Sequence, residues 1–175
     1  MTSEPRPEWG EPHTRSITYW DHQQILDASR GITGLELLRM IQDGTIPPVP
    51  FGQTIGGMTF KTLEEGLVEI ETTPDASAYN PIGLVHGGFA STLLDSVAGC
   101  AVHTTLPVGF AFSSIELKVN FLRPVHANRG PVLARGWVTK PGRRVAFAEA
   151  ELLDSEGKKL ATASSSCVVI APPSS

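Results

Sequence analysis

The most restrictive feature of the sequence is a stretch of about twenty residues that is apolar or small on every side. Residues 86–105 are HGGFASTLLDSVAGCAVHTT, with Asp95 as their only acidic side chain and with no lysine or arginine. A helix that is apolar all round has no face for water and must be covered on all sides. Its charge and its glycines favour a buried helix over a membrane span. The sequence therefore predicts one central helix and a fold that surrounds it.

The segments on either side of this helix predict strands, two before it and four after it. Residues 58–63 and 67–73 flank the turn Glu64-Glu65-Gly66, which is typical of a hairpin. The four later strands are predicted over residues 112–122, 131–139, 143–153 and 159–170. This order predicts an α+β domain in which a mostly antiparallel sheet is wrapped around one long apolar helix.

The first 56 residues predict a tail and a helical N-terminal extension. Residues 1–18 are rich in Pro, Glu and Arg without periodicity, which is typical of a mobile tail. Within 19–56, Thr33 and Glu36 have the spacing of a capping box, and IPPVP at 46–50 predicts an extended linker. We expect the main domain to span 57–171 and a second tail to span 172–175.

Composition excludes several classes of partner and cofactor. The chain has 14 Lys and Arg against 18 Asp and Glu, a net charge of −4, and no basic run, which disfavours nucleic-acid binding. Two cysteines, Cys100 and Cys167, are too few for a disulfide scaffold and form no metal-binding cluster with histidines. The N-terminus has no apolar stretch like that of a signal peptide. We therefore expect a cytoplasmic protein without a metal, a cofactor or a membrane partner.

Asp95 is the first candidate for chemistry. The residues one helical turn away are Ser91, Thr92, Ala98 and Gly99, all small enough to let a ligand or another helix approach the carboxylate. An isolated acid in an apolar helix must be hydrogen-bonded, paired or protonated, and such groups are common at functional sites. Asp95 either acts as a general base or nucleophile, or it bonds a nearby hydroxyl or backbone group and only stabilises the packing.

The start of the helix is the second candidate. His86, Gly87 and Gly88 precede the apolar run, and glycines at a helix N-terminus let a ligand approach free backbone N–H groups, as in an oxyanion hole. Asn80, six residues before His86, adds a side-chain amide to the approach loop, although Asn-Pro is also a common turn.

Ser113 is a further candidate, at the start of the strand that follows the helix. Ile115, Leu117, Val119 and Phe121 alternate with polar residues, so we expect this apolar set to face the helix. Ser113 has the same parity and is expected on the buried face, unless it is an ordinary edge serine.

Together these residues resemble the PaaI-type acyl-CoA thioesterases of the hotdog superfamily. The resemblance rests on NPIGLVHGG at 80–88, on Asp95 eight residues after Gly87, and on Ser113 with the following strand up to Pro124. It covers about residues 57–170. It implies a hotdog fold, a homodimer formed by joining the sheets, frequent pairing into a homotetramer, and an active site at the dimer interface.

The resemblance also implies roles for the candidate residues. Asn80 and the N–H group of Gly87 would polarise the thioester carbonyl of the acyl-CoA substrate. The partner subunit's Asp95 would activate a water molecule or attack directly, and Ser113 would help to hold that water. His86 would support the loop by hydrogen bonding rather than act as the base.

Coenzyme A would enter as part of the substrate, and no separate cofactor is implied. Gly88 is a candidate substrate contact at the helix start. Arg123, Arg143 and Arg144 are candidate anchors for the coenzyme A phosphates, because guanidinium groups bind phosphate oxygens in pairs. Basic residues at turns are also often simply solvated.

Two other functions remain open at this level. A hydratase or dehydratase on the same fold would need an Asp and a His close together in one loop, and no Asp lies between Asn80 and His86. A non-catalytic acyl-CoA-binding or regulatory protein would use residues 20–45 for its interactions. A GxSxG motif is absent, which disfavours Ser-His-Asp hydrolysis. The acyl group and the thioester carrier, coenzyme A or an acyl carrier protein, are left undetermined.

Overall fold

The computed structural model describes residues 6–172 and contains one antiparallel sheet and one long helix. The helices are α1 (Gln23–Ala28), α2 (Gly34–Gln42), α3 (Pro50–Thr54) and α4 (Gly87–Thr104). The strands are β1 (Thr59–Glu64), β2 (Leu67–Thr72), β3 (Ala111–Phe121), β4 (Val132–Lys140), β5 (Val145–Leu153) and β6 (Lys159–Ile170). The predicted architecture is confirmed, with element bounds within two residues of those expected for the main domain.

The six strands form one sheet in the order β1-β2-β4-β5-β6-β3, and all neighbouring strands are antiparallel. Helix α4 contacts every one of these strands. Its side chains Leu93, Leu94 and Val97 are completely buried, because the curved sheet covers the helix. This surrounding sheet explains why a helix without a polar face is stable here.

The sheet lies unusually close to the helix at Gly136 of β4. A Cβ atom at this position would lie 2.4 Å from both the carbonyl carbon and the carbonyl oxygen of Val97. Such a separation is far below van der Waals contact, so only glycine lets this strand touch the helix backbone. Gly136 therefore sets the spacing between the sheet and α4 at the middle of the core.

The N-terminal extension packs on the outside of this core. The capping box at the start of α2 is confirmed, since Glu36 N donates to Thr33 Oγ1 at 3.2 Å and Thr33 N donates to Glu36 Oε2 at 2.7 Å. Helix α2 contacts α4 and β1 and buries Leu37 and Leu38. The expected linker is wrong at its end: residue 50 begins α3, because proline fits the first turn of a helix.

Residues 6–18 of the predicted first tail run along the surface as extended chain apart from one short 3₁₀ turn. The Arg15 guanidinium lies 3.2 Å from Ser77 Oγ and 3.6 Å from an Asp75 carboxylate oxygen. Residues 1–5 and 173–175 of the two predicted tails lie outside the described residues. The domain boundaries remain predictions. None of the helices within 6–172 has the length and apolar content that crossing a membrane requires.

Strand β3 forms one edge of the sheet and is irregular near its start. Its pairing with β6 shifts register between Ser114 and Glu116, where β3 has an extra residue. Before this bulge Phe112 and Ser114 are partly buried, and after it Leu117 and Val119 are partly buried. The inward-facing positions therefore change from even to odd residue numbers within the strand.

Candidate active site

The carboxylate of Asp95 lies on the side of α4 that faces the start of β3. Ser114 Oγ donates a hydrogen bond of 2.8 Å to Asp95 Oδ1, and the aspartate is partly exposed. The second oxygen, Oδ2, accepts no hydrogen bond from the described residues. Because no buried side-chain nitrogen or oxygen among these residues lacks a partner, Oδ2 is not buried, and it remains available to a water molecule or a ligand.

The expected position of Ser113 on the buried face is wrong, and Ser114 is the serine that is hydrogen-bonded to Asp95. Ser113 is exposed, and so is Ile115, with 60% of its surface accessible. The expectation assumed uninterrupted alternation along β3. The bulge reverses that alternation, so the serine next along the chain is turned towards the helix.

Asp95 separates two spaces that differ in character. One is an open groove of about 450 Å³ that we call the outer groove, lined by Ser91, Thr92, Asp95 and residues 114–117. Ser91 and Thr92, one helical turn before Asp95, have small side chains and therefore leave the carboxylate accessible from this groove.

The second space is a cavity of about 170 Å³, the inner cavity, which also begins at Asp95 and Ser114. Residues of helices α2 and α3, of the linker between them, and of strands β1 and β2 also line it. Apolar groups such as Ile41, Met58 and Phe112 form most of its wall. Leu93 and Val97 do not line this cavity, because both are completely buried between α4 and the sheet.

Cys100 lines the inner cavity on the same helix as Asp95. Burial, with a smaller contribution from the Asp95 charge, raises the pKa of this thiol to about 12. Burial also raises the pKa of Cys167, and both cysteines are free. These thiols are protonated at neutral pH and are poor nucleophiles.

His86 is the N-cap of α4. Its Nδ1 atom accepts a hydrogen bond of 2.9 Å from the N–H group of Gly88, and its own backbone N–H donates to Ala78 O at 2.8 Å. An Nδ1 atom that accepts from a backbone N–H carries no proton, so this geometry selects the tautomer with hydrogen on Nε2. His86 holds the loop against the helix start in this arrangement.

Gly87 is the first residue of α4, and its N–H group therefore has no acceptor within the helix. A Cβ atom on this residue would lie 3.0 Å from Cζ of the Phe121 ring. The absence of a side chain allows the ring to approach and leaves space around the N–H group. Gly88, beside it, is exposed and lines a cavity of about 370 Å³ together with Arg15, Tyr79 and Phe89.

Asn80 closes the approach loop through its side-chain oxygen. Asn80 Oδ1 accepts hydrogen bonds of 3.1 Å from the N–H groups of both Ile82 and Leu84, and Asn80 N donates to Leu84 O at 2.7 Å. Because both partners of Oδ1 are donors, the orientation of the amide is determined. Its NH₂ group is the end that remains for a ligand, and it can only donate.

The two halves of the candidate site are separated within one chain. Asp95 follows Gly87 by eight residues, which corresponds to about 12 Å along a helix axis. The cavity beside His86 and Gly88 does not include Asp95, and the two spaces at Asp95 do not include His86. A single carbonyl group cannot contact both halves in one protomer.

The three candidate phosphate anchors are not brought together. Arg123 donates to Lys159 O at 2.6 Å and lines a groove with His126 and Arg129, near the start of α4. Arg143 and Arg144 line a different cavity beside Leu106 and Pro107, which follow the end of α4. One protomer therefore cannot use all three for one ligand.

Within 6–172, no three His, Cys, Asp or Glu side chains are grouped as metal ligands.

Comparisons with known proteins agree with this architecture. The model of the thioesterase superfamily matches residues 82–161. A putative esterase of Halobacterium salinarum is 42% identical over 69 residues, which span 38% of this chain and 44% of that protein. Acyl-coenzyme A thioesterase 13 of Homo sapiens is 26% identical over 110 residues, 63% of this chain and 77% of that protein. The match thus spans less than half of the Halobacterium relative.

A solved structure covers more of the chain. The crystal structure of a putative thioesterase from Ralstonia eutropha JMP134, described as a phenylacetic acid degradation-related protein, has a TM-score of 0.68 and 30% identity. The alignment covers 74% of this chain and 97% of that one. The region that the family model matches contains α4 and strands β3, β4 and β5. The chain therefore belongs to the thioesterase superfamily and has the hotdog fold.

Proposed function

We propose that the protein hydrolyses acyl-coenzyme A thioesters at a site to which two protomers contribute. The observation that carries this proposal is the pair formed by Asp95 and Ser114, which is open to solvent and lies about 12 Å along the helix from the N–H group of Gly87. The human relative is named an acyl-coenzyme A thioesterase, which supports coenzyme A rather than an acyl carrier protein as the thioester carrier.

One half of the site stabilises the negative charge that develops on the thioester oxygen. The Nδ2 group of Asn80 and the N–H group of Gly87 are both donors without a role elsewhere in the loop geometry described above. One preorganised donor directed at such an oxygen can lower the activation free energy of hydrolysis by about 3 kcal/mol, and two donors can lower it further. His86 positions Gly88 and the helix start and takes no proton from the substrate.

The other half supplies the attacking group. Asp95 Oδ2 accepts a proton from water as the water oxygen bonds to the carbonyl carbon. The C–S bond then breaks, and the departing thiolate takes that proton to leave as coenzyme A thiol. Ser114 holds the carboxylate through Oδ1. Direct attack by Asp95 to form a mixed anhydride, which water then hydrolyses, remains the second route to the same products.

Both halves meet only when two protomers associate. Strand β3 lies at the edge of the sheet, so its outer backbone groups are available for pairing with another strand. Antiparallel pairing of β3 with its copy about a twofold axis would run the two α4 helices in opposite directions. The start of one helix then lies towards the middle of the other. We propose a homodimer of this kind, with further pairing into a homotetramer.

The arginines divide between two surfaces in the proposed dimer. Arg123 lies at the oxyanion end of its own helix, and Arg143 with Arg144 lies at the other end. Because the two α4 helices are antiparallel in this dimer, Arg123 of one protomer lies on the same side of the dimer as Arg143 and Arg144 of the other. We propose that a phosphate of coenzyme A binds one of these groups of arginines.

We also propose a cytoplasmic location for the protein, because both of its cysteines, Cys100 and Cys167, are free thiols.

The first test is the release of free thiol from a panel of acyl-coenzyme A substrates. Asp95→Asn is nearly isosteric, so the fold should survive while turnover falls by at least about a hundredfold. Turnover close to that of the wild type would refute the role of Asp95. If the wild type hydrolyses none of the panel but binds it tightly in calorimetry, the protein is a non-catalytic acyl-coenzyme A binder.

A complementation experiment tests the shared site. Asp95→Asn and Asn80→Ala are each prepared as inactive proteins and then mixed under conditions that exchange protomers. A mixed dimer contains one doubly altered site and one intact site, so about a quarter of the wild-type activity should return at equal amounts. Sedimentation verifies the exchange and the dimer. No recovery from exchanging dimers would place both halves within one protomer.

A further inference from the structure

We propose that the N-terminal extension limits the length of the acyl group, and that Gly52 and Met58 set the depth of the inner cavity. This inference rests on the proposed hydrolysis at Asp95 and names the substrate class for that site. The substrates are acyl groups whose apolar part contains about six carbons, either a short chain or a single ring.

The position of the inner cavity assigns it to the acyl group. It opens at the Asp95 carboxylate, beside which the reacting carbonyl must lie, and it leads away from the outer groove. Asp95 is the only charged side chain among the described residues that line it. An apolar cavity suits a hydrocarbon group, whereas the charged and bulky coenzyme A moiety fits the more open outer groove.

The size of the inner cavity sets the limit on the acyl group. Its volume is about 170 Å³. In another protein, an engineered cavity of about 150 Å³ lined by Leu, Ile and Phe binds benzene, a molecule of six carbons. The inner cavity therefore accommodates a ring or a chain of about this size, and a long fatty acyl chain exceeds it.

The floor of the cavity comes from the segment that precedes β1. Gly52 is the buried residue of α3, and a Cβ atom there would lie 2.7 Å from Cε of Met58. Cε is the end of an unbranched, flexible side chain that can move when crowded. Both residues line the inner cavity. An added methyl group at position 52 would therefore push the Met58 methyl into the space that the acyl group needs.

Two substitutions then change the cavity in opposite directions. Gly52→Ala shortens it, and the helical backbone at this position accepts alanine without strain. Met58→Ala deepens it. Met40→Ala is the matched control, because this methionine also belongs to the extension, is partly buried and does not line the inner cavity.

The experiment measures kcat/KM for butanoyl, hexanoyl, octanoyl, decanoyl and benzoyl coenzyme A. For the wild type we expect kcat/KM to rise about fourfold per added methylene up to about six carbons and then to fall. Met58→Ala should move the maximum to octanoyl or decanoyl, and Gly52→Ala should move it to butanoyl. The double variant should follow Met58→Ala, since the side chain that Gly52→Ala displaces is then absent. Met40→Ala should keep the wild-type profile.

Failure of this inference is distinguishable from failure of the proposed hydrolysis. If the substrates are hydrolysed but Gly52→Ala and Met58→Ala leave the chain-length profile unchanged, the inner cavity does not hold the acyl group. A wild-type maximum at decanoyl coenzyme A would also overturn the size limit. If nothing is hydrolysed, the binding of the same panel is measured by calorimetry for Asp95→Asn and for the double variant Asp95→Asn, Met58→Ala. The inference holds if Met58→Ala shifts the tightest binding to longer acyl chains, and it fails if the preferred chain length does not change.

Discussion

Replacement of Ser114 by alanine tests the arrangement of the catalytic half-site. The hydrogen bond from Ser114 Oγ to Asp95 Oδ1 measures 2.8 Å and involves a carboxylate that is partly exposed. Hydrogen bonds to charged groups contribute about 1.5–3 kcal/mol, and partial exposure places this one near the lower value. If the bond holds Asp95 in its reactive orientation, Ser114→Ala lowers kcat by about tenfold to thirtyfold.

Ser113→Ala is the matched control for this substitution. The two serines are adjacent in sequence and in the same strand, but Ser113 is exposed and contacts neither Asp95 nor the inner cavity. Steady-state thiol release should give a wild-type kcat for Ser113→Ala, and KM should change little in either variant. Circular dichroism and thermal unfolding check that both proteins fold. A loss of kcat in Ser113→Ala with normal turnover in Ser114→Ala would show that β3 has no bulge at this point.

Three further predictions concern stability. His86→Ala removes the cap on the Gly88 N–H group and should lower the free energy of unfolding by about 1 kcal/mol, whereas His86→Asn should lose less, because Asn also caps helices; urea unfolding compares them. Burial lowers the pKa of His103, so the unfolded chain binds a proton first, and stability should fall as the pH drops below about 6.5 in the wild type but less in His103→Gln. Gly136→Ala should cost about 3 kcal/mol in the same assay, because its Cβ meets the Val97 backbone; an unchanged midpoint would contradict that close contact.

The sequence allowed most of the core to be predicted because its strongest pattern has one structural solution. A helix as apolar as α4 must be surrounded, and six strand patterns in the chain supply the surrounding sheet. The capping box at Thr33 was equally predictable, since it depends on residues three apart in one local structure. Asn80, His86 and Gly87 were identifiable for the same reason, because they lie in one loop and helix start.

Features that depend on pairing between distant segments were not predictable in this way. Alternation of polar and apolar residues continues through β3 from Ser114 to Asn120, so the sequence shows no sign of the bulge, which arises from the register with β6. Helix α3 was missed because proline at its start also suits an extended chain. The inner cavity is lined by the N-terminal extension, by strands β1 and β2 and by α4. These segments are distant in sequence, so no local pattern indicates such a space.

The protonated state of Cys100 has a consequence for the chemical integrity of the enzyme. A thiolate beside a bound thioester would exchange with it and leave the protein itself acylated, a covalent dead end in the acyl-binding wall. Burial raises the pKa of Cys100 to about 12, so this thiol stays protonated at pH 7. The burial that makes the inner cavity suitable for a hydrocarbon group thus also prevents acylation of the Cys100 thiol by the substrate.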